Sequence, residues 1–411
     1  MRRPFRSVAL CALCLGLSRR AESQQPAALT RAQATAAALA HSPRLTAARA
    51  DSAAAAARIT TAGAIPDPTL SLSYSKSEPQ YHVSAELPID QLWLRGIRVR
   101  AAEASALAAR YRLHFEIASL TLDVDTLYTR ALAAAAHVRL STRNAGDADS
   151  LRRMVVARRD AGDASDMDVE LATLTAGQQA NIATADSVTE RATILELQAL
   201  LGLTGDSASV RPVDSLVVPE TIGALPAALP PTASPLQVAS SRAELEAATL
   251  TARVQRRSIL GSPGITFGFE TGEPSGAEPG LLPTFGVAVP LPIFNRNRGP
   301  IAEADAARAR ANAELAIARQ ESALQLGRTR AALVAAASRL ARDRQLLQSA
   351  DRVIAMALAA YREGASPLAS VLEAQRSARE VRTGYIDDVA NALVAAATLR
   401  LLSLTPDSAV P

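Results

Sequence analysis

Cysteine, lysine and aromatic residues are scarce in this chain. Its two cysteines, Cys11 and Cys14, both fall within residues 1–23, and Lys76 is the single lysine among 411 residues. Because the remaining residues contain no cysteine, they can form neither a disulfide nor a thiolate metal site. Aromatic residues make up 3% of the chain and alanine is abundant, a composition that favours long, closely packed helices over a thick globular core.

The positive charge is concentrated at the start of the chain. Residues 1–23 carry five arginines and one glutamate, which accounts for the whole formal charge of +4. Nucleic-acid binding is therefore not expected, because it selects clustered basic residues. The early arginines, an apolar run from Val8 to Leu17 and small residues at Ala21 and Ser23 predict a secretory signal peptide over residues 1–23.

Long apolar runs are absent from the rest of the chain. Beyond residue 23, no run reaches the roughly 18 apolar residues that a membrane-spanning helix requires. If the protein spans a membrane, we expect it to do so with strands, because strands and helices are the two ways to satisfy backbone hydrogen bonds in lipid.

Two similar junctions divide the sequence into repeats. VSAELPIDQLWLRGIRVRAAEA (83–104) and TFGVAVPLPIFNRNRGPIAEADAARARANAEL (284–315) both pass from an alternating pattern through prolines to a helical pattern. In the second copy the alternation predicts a strand from Thr284 to Phe294. The strand-to-helix junctions are marked by Pro88, Pro290, Pro292 and Gly299. This predicts two repeats, residues 24–205 and 236–411, joined by a proline-rich connector over residues 206–235.

Each repeat contains a predicted β-hairpin with one apolar and one polar face. The hairpins cover residues 69–89 and 264–292, where apolar and polar residues alternate. Serine, threonine and glycine dominate the polar face, which also carries Glu86 and Glu270. A hairpin lying on a soluble core is the alternative interpretation. The residues predicted for an outward, lipid-facing apolar surface are Leu70, Leu72, Tyr74, Val83, Leu87, Ile265, Phe267, Phe269, Phe285, Val287 and Val289.

Each repeat also contains a predicted helical hairpin, over residues 95–201 and 300–404, with turns at Gly162 and Gly364. The first helix of each pair is on the order of 100 Å long. Shorter helices are predicted over residues 28–61, capped by Thr30 and broken near Pro43, and over residues 236–258. A coiled-coil seam is predicted from a seven-residue repeat that comprises Leu326, Leu333, Leu340, Leu347, Ile354 and Tyr361, with Ala336, Ala350 and Ala357 three places on.

Four strands of this kind cannot form a closed barrel, because small barrels need about eight. Left open, they would expose two edges and an apolar face. Three copies around an axis would supply twelve strands and close the ring. We therefore expect a mainly α fold with a small β part, in which a trimeric 12-stranded transmembrane β-barrel is continued by an α-helical barrel of twelve helices.

No catalytic or cofactor-binding pattern stands out. The four histidines, His41, His82, His114 and His137, are scattered, and no glycine-rich phosphate loop follows a strand. We expect neither an enzyme nor a bound cofactor or metal. A secreted coiled-coil scaffold without a pore is the alternative function. The outward apolar strand faces argue against it, because a soluble tether has no use for them.

Four separated motifs stand out along the chain: ALTRAQATAAALAHSPRL (28–45), PDPTLSLSY (66–74), PLPIFNRNRG (290–299) and YREGASPLASVLEAQ (361–375). Together, and in this order, they resemble the TolC-type outer-membrane efflux family. The resemblance implies a homotrimeric outer-membrane channel with a large periplasmic portion, which docks on a periplasmic adaptor and an inner-membrane pump. PLPIFNRNRG resembles members paired with heavy-metal cation pumps of the resistance-nodulation-division type.

The resemblance also implies roles for residues at the periplasmic turns. Each has a simpler interpretation: the glycines as helix caps, the acids of the first helical turn as partners of the helix dipole, and Tyr361 as seam packing. Both interpretations stay open at this point. The implied adaptor-docking residues are Ala161, Gly162, Asp163, Glu363, Gly364 and Ala365, and the implied gate residues are Asp166, Asp168, Tyr361 and Glu373.

Overall fold

The computed structural model describes residues 27–76, 79–217, 235–259, 261–271 and 281–406. The predicted signal peptide, residues 218–234 of the connector and the tip of the second β-hairpin lie outside the described residues. Within the described residues the protein is mainly helical and has two small sheets.

The elements follow the chain in two similar series. The first series is β1 (Ala27–Leu29), α1 (Arg31–His41), α2 (Pro43–Gly63), β2 (Thr69–Tyr74), β3 (Tyr81–Pro88), α3 (Gln91–Asp160) and α4 (Asp166–Leu200). After β4 (Val210–Pro212), the second series is α5 (Leu236–Arg257), β5 (Gly264–Thr271), β6 (Leu282–Ala288), α6 (Arg298–Arg362) and α7 (Leu368–Leu402).

Two segments differ from the prediction. Strand β6 ends at Ala288, whereas the alternation predicted a strand to Phe294, because Pro290 and Pro292 have no N–H to donate to a ladder. The start of the predicted first helix is instead strand β1, which pairs in parallel with β4. Thr30 caps α1 through a capping box with Gln33, and the chain breaks at Ser42 before Pro43, as predicted.

The small parallel sheet closes one apolar core. The Tyr128 hydroxyl donates to the carbonyl of Leu29 over 2.8 Å, and the N–H of Arg31 donates to Asp214 over 2.9 Å. The first bond joins α3 to β1, and the second joins α1 to the connector. The core itself joins α1, α2, α3 and α4 through Ala34, Ala38, Leu45, Leu120, Val124, Tyr128, Leu132, Leu197 and Leu201.

The larger sheet is antiparallel, with strand order β2-β3-β5-β6. Pairing of β3 with β5 joins the two repeats, with Val83 opposite Phe269 and Glu86 opposite Thr266. Because side chains alternate along a strand, this register places the apolar residues of all four strands on one face. β2 and β6 form the two edges of the sheet.

Glycine is required at one position where strands approach closely. A Cβ atom on Gly268 would lie 2.6 Å from Thr284 Oγ1 and 2.8 Å from the carbonyl oxygen of Val83. A Cβ on Gly286 of β6 would lie 3.6 Å from the Thr266 Cβ, which is ordinary van der Waals contact. The two glycines share the polar face but differ in the space around them.

We predict that Gly268→Ala destabilises the sheet, because backbone and Thr284 would have to move to admit the methyl group. The expected cost is about 1–3 kcal/mol, measured as a lower melting temperature in circular dichroism. Gly286→Ala is the matched control and should change the melting temperature little. Equal melting temperatures for the two variants would contradict the prediction.

The central helix is α3, whose 70 residues span about 105 Å. It packs against α2, α4 and α5, and it also contacts α7 of the second hairpin. None of the helices in the described ranges has the combined length and apolarity needed to cross a membrane.

The seam between α6 and α7 follows the seven-residue repeat. Leu333, Leu340 and Tyr361 are buried, and so are Ala336 and Ala350. Asp343 stands where this repeat would otherwise place a small apolar residue.

Asp343 is therefore an acid inside an apolar seam. Its Oδ2 atom is buried and accepts no hydrogen bond from a donor among the described residues. The neighbouring Asp388 of α7 accepts a hydrogen bond of 2.7 Å from Arg339. Burial, reinforced by the Asp388 carboxylate, raises the pKa of Asp343 above its ordinary value of 3.8, while Arg342 and Arg339 oppose the rise.

We predict that Asp343→Asn stabilises the protein at neutral pH. A raised pKa in the folded state means that the stability contributed by Asp343 is full below pH 3.8 and is lost as pH rises through the folded-state pKa. Asparagine does not ionise, so the variant should melt a few degrees higher at neutral pH. The difference should shrink as pH falls toward 4.

The control for this prediction is Asp351→Asn. Asp351 is exposed and pairs with Arg382 over 2.6 Å, so its loss should leave the melting temperature unchanged or slightly lower. A melting temperature for Asp343→Asn that is lower than that of the unmodified protein at neutral pH would show that the charged carboxylate is stabilising.

Candidate functional site at the helical tips

Two turns of the same construction end the long helices. In the first, the C-cap of α3 is Ala161, Gly162 has φ +87°, and the N–H of Asp163 donates to the carbonyl of Arg158 over 2.8 Å. In the second, the C-cap of α6 is Glu363, Gly364 has φ +72°, and Ala365 donates to Ala360 over 2.8 Å. Both are Schellman turns, in which glycine avoids the strain of the left-handed conformation.

These two turns are the most exposed parts of the helical tips. Among the described residues, no atom outside its own neighbours lies within 4 Å of a Cβ built on Gly162, and only the Arg158 guanidinium reaches 4.0 Å from one built on Gly364. The residues predicted to dock a partner thus lie in open space at the ends of the helices. Their role in docking stays a prediction.

Tyr361 and Arg158 join the two hairpins just behind the tips. The Arg158 guanidinium lies 4.7 Å from the centre of the Tyr361 ring and donates a hydrogen bond to the Tyr361 carbonyl. Tyr361 is 4% exposed, and its hydroxyl is buried without a partner in the described part of the chain. Burial raises the pKa of Tyr361, Arg158 opposes the rise, and Asp168 adds to it.

An apolar cluster surrounds this contact and includes all four helices of the two hairpins. It comprises Leu151, Val155, Ala172, Tyr361, Leu368 and Val371, with Met154, Val169 and Leu358 packed against it. Burial of these side chains holds the tips of both hairpins together. Tyr361 is therefore seam packing and an inter-hairpin contact at the same time.

The acids of the first turn of α4 have separate environments. Asp168 completes the capping box of α4, whose N-cap is Ser165: its Oδ2 accepts from the N–H of Ser165 over 3.1 Å and from the Ser165 hydroxyl over 2.8 Å. The Asp166 side chain is 89% exposed and lies 3.5 Å from Arg159. The charge of Asp168 thus contributes to the raised pKa of Tyr361, whereas Asp166 faces solvent.

Glu373 is held on its own helix. It accepts two hydrogen bonds from Arg376, of 2.7 and 3.0 Å, and the hydrogen bonds from Arg376 lower the pKa of the Glu373 carboxyl. Neither Asp166 nor Asp168 is among the partners of Glu373 in the described residues. Of the four predicted gate residues, Asp168 acts electrostatically on Tyr361, whereas Asp166 pairs with Arg159 and Glu373 pairs with Arg376.

Arg158 is a site residue that the sequence analysis did not identify. An arginine in the last turn of a helix has an ordinary role beside the helix dipole. The internal repeat could have identified Arg158. Aligning Gly162 with Gly364 places Arg158 at the height of Ala360, which is next to Tyr361.

The second candidate surface is the apolar face of the larger sheet. Of the residues predicted to be outward-facing, Ile265 is half-buried and the others are exposed. The opposite face is polar, and on it His82 Nδ1 lies 3.2 Å from Glu270 Oε1. Pro88 ends β3, Pro290 and Pro292 lie between β6 and α6, and Gly299 lies in the first turn of α6. Contact with lipid stays a prediction.

The model of the outer membrane efflux protein family matches the chain twice, over residues 34–203 and 233–403. The chain belongs to this family. The two matches correspond to the two series of elements, and the resemblance to TolC-type outer-membrane efflux proteins is confirmed. The predicted outer-membrane localisation is confirmed as well.

Two curated relatives carry the name pyoverdine export outer membrane protein OpmQ. The protein of Pseudomonas aeruginosa is 27% identical over 314 residues, which cover 72% of this chain and 63% of the relative. That of Pseudomonas putida is 29% identical over 301 residues, which cover 68% of this chain and 61% of the relative. The chain therefore spans about three-fifths of the length of these relatives.

Solved structures of outer-membrane proteins share the fold. VceC of Vibrio cholerae superposes with a TM-score of 0.76 at 17% identity, covering 91% of this chain and 96% of VceC. CusC superposes with a TM-score of 0.75 at 17% identity, covering 91% of each chain. The predicted mainly helical fold with long hairpins and a small β part is confirmed, with β1 and β4 as additional strands.

We predict that Arg158→Gln loosens the contact between the hairpins. The variant loses the cation–π contact and the hydrogen bond to the Tyr361 carbonyl, worth together about 1–3 kcal/mol. Amide hydrogen exchange in residues 151–172 and 355–372 should become about tenfold faster. Mass spectrometry of the exchanged protein measures this.

The matched control is Arg159→Gln. Arg159 pairs only with the local acids Asp160 and Asp166 among the described residues, so its exchange pattern should stay unchanged outside the turn. Equal exchange in the two variants would show that Arg158 does not couple the hairpins.

Proposed function

We propose that this chain is one subunit of a homotrimeric outer-membrane conduit, the exit duct of a tripartite efflux system. A periplasmic adaptor and an inner-membrane pump would deliver the cargo and supply the energy. The duct itself would be passive, with no catalytic residue and no cofactor. The family supports an efflux role, and the four-stranded sheet is the observation that carries the proposal.

The sheet of a single protomer is open at both edges. β2 and β6 each pair on one side only within the described residues, and exposed edges invite further strand pairing. Its apolar face exposes Leu72, Phe285 and Val287. A ring of three sheets would pair every edge, turn the apolar face to lipid and enclose the polar face.

The helices support the same arrangement. α4 packs on α3, and α6 packs on α5 and α7, yet each keeps large apolar side chains exposed. Leu174 and Val188 on α4 and Val334 and Met356 on α6 are examples. In a closed ring, α4 of one protomer would lie beside α6 of the next, and these side chains would be buried between subunits.

The identity of the cargo and of the pump is a separate question from the architecture of the conduit. The sequence resemblance favours a heavy-metal cation pump of the resistance-nodulation-division type, whereas the curated relatives are named for pyoverdine export. The polar face of the sheet carries hydroxyls, Glu86 and the His82–Glu270 pair, which line a hydrated path and do not build a selective pocket. We infer that the pump selects the cargo.

The function is tested by planar-bilayer conductance and by light scattering on the detergent-purified protein. We expect a trimer that inserts and conducts in discrete steps. Leu72→Asp should prevent insertion because it places a charge on the lipid face, whereas the neighbouring Ser71→Asp, on the polar face, should insert. A soluble species that never inserts would favour the alternative, a periplasmic scaffold without a pore.

We predict that Gly364→Trp abolishes export while the trimer still assembles. The indole would project from an open tip and block the adaptor. Export is measured as efflux-dependent resistance in a complemented strain, and assembly is measured by light scattering.

Gly364→Ala is the control for this substitution. It introduces the same left-handed strain of about 1–2 kcal/mol without the bulk, so export should persist. Resistance that is unchanged in Gly364→Trp would show that the adaptor does not bind at this tip.

A further inference from the structure

A cavity of about 260 Å³ lies between the two helical hairpins, away from the sheet. α3 contributes one wall, with Asn144 and Leu151, and α6 and α7 contribute the other, with Ile354, Gln375 and Arg379. The volume is sufficient for a small ion with several waters. Any ligand bound here would touch both hairpins.

Positive charge dominates the lining. Arg362, Arg379 and Arg382 face one carboxylate, that of Asp147. Arg382 is already paired with Asp351, over 2.6 Å. Over the described residues, neither Arg362 nor Arg379 has an ion-pair or hydrogen-bond partner.

Arg379 is the unusual member of this group. It is half-buried, and its pKa is lowered by burial and by Arg376, with Glu380 opposing. A guanidinium removed from water normally gains a carboxylate or phosphate partner that offsets its lost hydration. Arg379 has none in the part of the chain that the structure describes.

Gln375, one turn before Arg379, supplies an independent sign of an unfilled site. The residue is 8% exposed, and its Oε1 atom is buried without a hydrogen-bond partner among the described residues. Buried polar atoms are normally paired, and exceptions point to a missing partner. Turning the amide by half a rotation exchanges Oε1 for the NH2 group, which would then donate to an acceptor in the cavity.

We propose that this cavity binds a small oxyanion, of which inorganic phosphate is the probe, and that the bound oxyanion ties the two hairpins together. Arg379 would donate two parallel hydrogen bonds to it, as guanidinium groups do to oxyanions. The Gln375 amide and the Asn144 amide, on the opposite wall, would complete its coordination. This inference is independent of the proposed function and does not rest on adaptor binding or conduction.

The test is calorimetric titration of phosphate into the full-length protein in detergent, at constant ionic strength in chloride. We expect saturable binding. Arg379→Gln should weaken binding at least tenfold, about the effect of losing charged hydrogen bonds. Arg310→Gln is the control, because Arg310 is exposed, is already paired with Glu314 and does not line the cavity, and it should bind as the unmodified protein does.

Hydrogen exchange gives a second readout that needs no variant. Phosphate should slow exchange in residues 144–155 of α3 and 375–382 of α7 together, since the oxyanion would touch both. No saturable binding to the unmodified protein, protection confined to other segments, or equal affinity in Arg379→Gln would each overturn the proposal.

Discussion

The antiparallel pairing of β3 with β5 is the contact on which the rest of the structure depends. It fuses the two repeats into one sheet, and it places Gly264 opposite both Pro88 and Ala288. The ends of β3 and β6 are therefore level, and α3 and α6 leave the sheet from the same side. Helices of 70 and 65 residues then reach the same height at their far ends, which is why Arg158 can meet Tyr361 there.

The sequence predicts the features that recur along the chain. Long helices repeat their pattern over many turns and end at glycines in the left-handed conformation, and the strand alternation fixes which side chains share a face. Single contacts between distant segments have no such signature. β1 and β4 have three paired residues each, which are too few to show a periodic pattern. At the end of β6 the alternation of side chains continues to Phe294, but the prolines after Ala288 end the strand.

The same difference between recurring features and single contacts applies to the candidate site. The repeat located the two glycine turns, so the positions of the tips were predictable, and the family resemblance pointed to the N-terminal acids of α4. The partners of these acids were not predicted, although each lies close by in the sequence. Asp168 is occupied by the Ser165 cap and Glu373 by Arg376 on its own helix, local contacts that compete with any role across the tips.

The interface between α3 and α7 is the place where the two hairpins meet, and its chemistry changes along its length. Near the tips it is apolar and buried, around Val155 and Val371. Farther from the tips it becomes the polar cavity, and then the hydrogen bond of 2.9 Å between His137 and Asp387. Water can replace polar contacts at small net cost, but it cannot replace buried apolar area. At the tips, separation of the hairpins is therefore limited mainly by the apolar cluster, and the contact between Arg158 and Tyr361 adds a polar link at the same place.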